Sequence, residues 1–254
     1  MKVMKMKQTL VFWTQGVRMY VGIAIGLITL EVFWWSQVSF SEPRLATIRL
    51  QEVYAWLSLA VLLTTILIGP AISIFPHIAG KQQLRDARRL LGIGAAWFAV
   101  LHASISYLIQ FRGSNLVGLP RSYQQALALG AIGIIVLLIL VFTSFNAVMK
   151  LWGVWWFRVH RLVYVGILAA LMHAFMIGTH ASGLLTLIVI AGAATVWVSA
   201  NIYLLMTRSV QTTTWKIISL SYGTILLLAV LNYGLTQHAG YNVITTGHMR
   251  QSHQ

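Results

Sequence analysis

Seven stretches of about twenty apolar residues, each interrupted by at most one charged side chain, dominate this 254-residue chain. They fall at 19–40, 53–75, 90–109, 123–145, 159–179, 183–206 and 217–235. A helix of that length, rising 1.5 Å per residue, crosses the roughly 30 Å hydrocarbon layer of a bilayer. Backbone polar groups within lipid must be satisfied internally, so a spanning segment is a helix or part of a closed barrel. Barrel strands run for about ten residues and alternate in polarity; these runs are twice as long and continuously apolar. The sequence therefore predicts an all-α polytopic membrane bundle of about seven transmembrane helices.

Charge placement supports that reading and orients it. Only 9% of residues are charged, against about a quarter in aqueous domains. The net charge of +14 comes from Lys and Arg in the short segments between apolar runs, which excludes a nucleic-acid footprint and fits a chain oriented against anionic lipid. Thirteen basic residues lie on one side: Lys2, Lys5, Lys7, Arg18, Lys81, Arg85, Arg88, Arg89, Lys150, Arg158, Arg161, Arg208 and Lys216. Five lie on the other: Arg44, Arg49, Arg112, Arg121 and Arg250. The positive-inside bias places the N-terminus in the cytoplasm and the C-terminus outside. The first apolar run carries Glu31, Trp34 and Trp35 and has no small-x-small cleavage pattern, so it is read as an uncleaved helix. The expected division is a cytoplasmic tail at 1–18, a transmembrane helical domain at 19–206, and an extra helix with an outer tail at 207–254.

The haem assignment starts from the histidines. Ionisable side chains inside a membrane are costly and mark function by default, and His102 and His173 lie deep in the third and fifth runs. Both runs lead outward from a basic border. His102 is 13 residues beyond Arg89, about 20 Å, and His173 is 15 residues beyond Arg158, about 22 Å. Two parallel helices thus present one imidazole each at matching depth, as axial ligation of a haem iron requires. Small residues share their faces: Gly166, Ala169 and Ala170 beside His173, and Ala95, Ala99 and Ser106 beside His102. Such residues leave room for a flat macrocycle and also permit close helix packing. The chain has no cysteine, so covalent haem attachment and thiolate iron–sulfur ligation are excluded and any haem is held non-covalently. The alternative is that both histidines make interhelical hydrogen bonds and bind nothing.

His160 lies 13 residues before His173, about 19.5 Å nearer the cytoplasm. On a regular helix the two side chains would stand about 140° apart, so an inner haem above the same helix requires a bend or bulge. The third run has no second histidine at that depth. His77, at the inner end of the second run, is the candidate partner; otherwise His160 serves a propionate, a quinone or a flavin. His180 is read as a rim hydrogen-bonding residue, and His238, His248 and His253 as solvated tail residues. Glu31, about twelve residues into the first run, is expected to pair with an interior polar group such as Asn232 or to relay protons.

The run from Arg88-Arg89-Leu90-Leu91-Gly92 through Leu101-His102 to Tyr107 resembles the ferric-reductase-like transmembrane family. So does Thr143-Ser144-Phe145-Asn146 through Leu151-Trp152-Gly153 to Val159-His160-Arg161-Leu162-Val163-Tyr164 and His173. The resemblance covers roughly residues 50 to 206 and is nearest the family's compact bacterial branch, which partners a periplasmic reductase. It implies a six-helix core, here extended by one C-terminal helix, with haem b on His102 and His173 and with His160 on the inner side. It also implies electron transfer outward from a cytoplasmic donor. Arg161, beside His160, is the expected propionate partner. No glycine-rich phosphate loop occurs in the sequence, so the donor is expected to be a separate flavoprotein, bound FMN, or a quinol. The acceptor is expected to be an outer-side redox partner. The competing reading is a non-catalytic haem- or pigment-binding subunit of a larger membrane complex. A transporter is poorly supported, because Pro70 is the only proline inside a run and broken helices are not evident.

Overall fold

The computed structural model describes residues 2–75, 77, 80–111, 118–177 and 197–198. Among these residues the regular structure is helical throughout. Helix α1 spans Lys2–Ser39, α2 Pro43–Ile74 and α3 Lys81–Ile105, the last continued by a π-helical turn at Ser106–Gln110. Helix α4 spans Arg121–Thr143, α5 Asn146–Trp152, α6 Val154–His160 and α7 Val163–Ile177. Five stretches are long and apolar enough to cross a membrane: Met19–Ser39, Pro43–Ile72, Lys81–Ile109, Arg121–Thr143 and Val154–Ile177. They are the first five expected spans and fit an integral membrane protein. The sixth and seventh, at 183–206 and 217–235, lie outside the described residues, as do His180, Asn232 and the tail histidines.

Several helices overrun the apolar runs, because residues that cannot sit in lipid are still good helix formers. Helix α1 takes in the Lys- and Gln-bearing tail. Helix α2 begins ten residues before the expected span, at Pro43, where a missing N–H and a fixed φ suit the first helical turn. Its polar start is held by an ion pair one turn apart, Arg49 Nη1 to Glu52 Oε2 at 2.7 Å. The expected loop between the fourth and fifth spans is instead two short helices, α5 and α6. They are divided at Gly153, whose φ of +48° is a left-handed value that favours glycine.

The described chain falls into two compact units, one of residues 1–118 and 134–167, the other of 119–133 and the described residues from 168 onward. The first is built on α1, α2 and α3. Leu62 of α2, Ala95 and Ala96 of α3 and Leu137 of α4 form a buried cluster with Ala99 packed against it. A second cluster joins Leu50, Tyr54 and Phe98 to Ile25 and Val32 of α1. Polar side chains cross-link the three helices: Tyr54 Oη donates to the Thr29 carbonyl at 2.9 Å, and Ser58 Oγ to the Ala95 carbonyl at 2.9 Å. Trp97 Nε1 donates to Thr29 Oγ1 at 3.1 Å. Helix α1 comes close to α3 at Gly94, where a Cβ would lie 2.6 Å from Ile25 Cδ1.

Helix α1 thus turns Ile25, Thr29, Val32 and Ser36, spaced three and four residues apart, toward its neighbours. Glu31 falls on the opposite side and is exposed, which corrects the expectation of a carboxylate inside the bundle. In the second unit the buried hydrophobic side chains among the described residues are Ala126 of α4 and Ala169, Leu171 and Phe175 of α7.

Candidate functional site

His102 lies half-buried in the last turn of α3, one turn before the helix widens into the π-helical turn. Its Nδ1 is 2.8 Å from the Gln51 carbonyl of α2. A carbonyl oxygen can only accept, so the ring proton sits on Nδ1 and the acceptor lone pair on Nε2. Ser106 Oγ is 2.8 Å from both the His102 carbonyl and Gln51 Oε1, and its single hydroxyl proton serves one of them at a time. Local widening of a helix is frequent at functional sites; here it begins at the residue that ties His102 to Gln51. Ala95 and Ala99, on the His102 face, pack in the cluster around Leu62, so these small residues serve helix approach.

The second unit holds His173 in a similar way. Its Nδ1 is 2.8 Å from the Ala126 carbonyl of α4, which again puts the proton on Nδ1 and the lone pair on Nε2. The ring lies against the next turn of the same helix. A Cβ on Gly130 would be 2.8 Å from Nδ1, 2.9 Å from Cε1 and 3.2 Å from Cγ. Sequence reasoning missed Gly130. The available signal was a small residue pair four apart, Ala126 and Gly130, on a helix facing a span with a buried histidine.

His160 ends α6, in the first unit. Its ring is tilted over Trp156 with centroids 3.9 Å apart. Nδ1 is 3.2 Å from the Trp156 carbonyl, and Nε2 is 3.4 Å from Ser144 Oγ, whose own proton goes to the Leu140 carbonyl at 2.6 Å. Trp156 is itself fixed, donating Nε1 to the Thr143 carbonyl at 2.8 Å. Directly after His160 the helix is interrupted. The Arg161 and Leu162 amides bond to the Arg158 and Val159 carbonyls, three residues back, and α7 starts at Val163. Regular helical phase therefore does not run through this point, and the 140° offset of an unbroken helix does not apply.

Basic residues lie on and near the α5–α6 segment. Arg89 Nη1 donates to Asn146 Oδ1 at 2.6 Å, the Arg88 guanidinium packs on Gly69 of α2, and Arg158 lies 4.5 Å over the Trp155 ring. Arg161 is exposed at the helix interruption, and His77 is exposed in the turn after α2. Among the described residues no three or more His, Cys, Asp or Glu side chains are grouped to hold a bare metal ion.

Residues 54–171 match the family model described as the ferric reductase like transmembrane component. The match covers somewhat less than half of the chain; His102 and His160 lie inside the matched segment and His173 lies two residues past its end. It is similar to the protein-methionine-sulfoxide reductase heme-binding subunit MsrQ of Pasteurella multocida (strain Pm70), at 27% identity over 148 residues. That match covers 55% of this chain and 68% of the relative. No solved structure matches the chain.

Proposed function

We propose that this protein is a b-type cytochrome of the bacterial inner membrane, holding haem b through His102 and His173. It passes electrons from a cytoplasmic flavin or quinol donor to an outer-side acceptor or reductase partner. One observation carries the reading. Each histidine gives its Nδ1 proton to a backbone carbonyl of a neighbouring helix, at 2.8 Å in both cases. Metal-ligating histidines characteristically bond their second nitrogen in this way, which fixes the tautomer and aims Nε2. This donor set suits haem, whose four ring nitrogens complete the coordination of an iron held by two imidazoles. The similar sequence distances of the two histidines from basic borders, the family-model match and the relative's description as a heme-binding subunit support the same reading.

When bound, the haem supplies a one-electron iron couple. The residues around it hold and orient the ligands and keep water from the apolar interior. On the inner side, His160 with Arg161 is the proposed receiving point, serving a second haem (with His77 as candidate partner) or the flavin or quinone of the donor. The short basic segments facing the cytoplasm suit an anionic cofactor or carboxylate.

The test uses proteoliposomes enclosing NADH, FMN and a flavin reductase, with a membrane-impermeant electron acceptor outside. Reduction of the acceptor that depends on the chain, and is lost in His102→Ala and His173→Ala, is expected. A haem-loaded chain giving no such reduction contradicts the electron-transfer role and favours a non-catalytic subunit.

A further inference from the structure

Gly130 is the crowded glycine of the second unit. Three atoms of the His173 ring stand 2.8 to 3.2 Å from where a Cβ would be, and the ring cannot retreat without giving up its hydrogen bond to the Ala126 carbonyl. Ala126 is only 1% exposed, so that acceptor is shielded from water. Residues four apart on a helix lie one above the other. Ala126 and Gly130 therefore form one shallow seat on α4: a carbonyl that accepts the ring proton, and a bare Cα that lets the ring come close enough to donate it.

We propose that Gly130 is a positioning residue for His173, setting the orientation of its imidazole and the strength of its hydrogen bond to the Ala126 carbonyl. This rests on the haem reading given above. A ligand imidazole that donates its second N–H to a carbonyl is a stronger electron donor to its metal. It thereby favours the ferric state and holds the reduction potential down. A methyl group at position 130 forces the ring off the seat, weakens the bond and raises the potential.

The experiment compares midpoint potential and low-spin electron paramagnetic resonance of the full-length chain in wild type, Gly130→Ala and Gly26→Ala. Gly26 is a helical glycine with nothing within 4 Å of its Cβ position, so it reports the effect of the substitution alone. Gly26→Ala is expected to match wild type, while Gly130→Ala keeps its haem with a raised potential and shifted g values. Gly130→Ala indistinguishable from wild type overturns the proposal.

If Gly130→Ala does not accumulate with haem, His173→Gly supplied with imidazole or 1-methylimidazole decides. Both molecules ligate iron, but only imidazole has an N–H for the Ala126 carbonyl. A wild-type potential with imidazole and a higher one, or weaker recovery, with 1-methylimidazole supports the seat. Equal recovery with both, or none with either, overturns it. A different result tests the underlying reading: His173→Gly retaining the wild-type haem spectrum with no added ligand removes His173 from ligation altogether.

Discussion

The Nδ1 of His102 lies 2.8 Å from the carbonyl oxygen of Gln51, a backbone acceptor in the third turn of the neighbouring helix α2. A helix carbonyl already accepts one bond from within its own helix, and its second lone pair is what the imidazole uses. In lipid this contact satisfies Nδ1 through the backbone, and under the proposed function Nε2 is the nitrogen that would ligate iron.

Ser106 tightens that contact, standing 2.8 Å from both the His102 carbonyl and Gln51 Oε1. Ser106→Ala is expected to keep haem while lowering stability by about 0.5–1.5 kcal/mol, the net worth of one hydrogen bond. Thermal loss of the haem absorbance in detergent measures it, and an unchanged melting point contradicts the role given to the hydroxyl.

The α1–α3 approach at Gly94 predicts a steric cost. Gly94→Ala places its Cβ 2.6 Å from Ile25 Cδ1, the movable end of a side chain, so a loss near the lower end of the overpacking range, about 1 kcal/mol, is expected. Adding Ile25→Ala should recover part of it. Losses that simply add in a double-mutant cycle contradict direct contact.

Arg89 and Asn146 join the start of α3 to α5 through an exposed 2.6 Å hydrogen bond. Solvent screening keeps such a bond weak, so a cycle with Arg89→Ala and Asn146→Ala should give a coupling below about 1 kcal/mol. A coupling several times larger indicates that the pair is desolvated in the membrane.

His160 separates the two accounts of the inner side. With one haem per chain, His160→Ala keeps the full haem content and loses only rapid reduction by the cytoplasmic donor. With two haems, haem content falls by half. The haemochrome assay reads the ratio directly, and wild-type haem content together with wild-type reduction rate leaves His160 without a role.

The sequence made the first five spans legible, because continuous apolar runs have few physical alternatives. Their ends were not legible: Lys and Gln in the N-terminal tail and Pro43-Arg44 continue helices that hydropathy alone truncates. Glu31 was misjudged because an apolar run hides which of its faces is turned inward. Only the packing of Ile25, Thr29, Val32 and Ser36 makes that clear. His102, His160 and His173 stood out as rare polar residues in lipid-length runs. The acceptors for His102 and His173 did not, since Gln51 and Ala126 act through backbone carbonyls that no side-chain pattern encodes. Gly130 was only weakly marked: in a helix apolar on all sides, the Ala126 and Gly130 pair signals a packing face without showing what packs there. The break after His160 was called for by the geometry of stacked groups, but its place at Arg161–Leu162 is visible only in the backbone bonding.

Ligation of haem b by His102 and His173 is tested by the reduced-minus-oxidised spectrum, with haem content, of purified wild type, His102→Ala and His173→Ala expressed with ample haem. A b-type spectrum is expected in wild type, with loss of the same haem centre in each variant. A haem-supplied wild type without a b-type signal, or both variants retaining it unchanged, contradicts it.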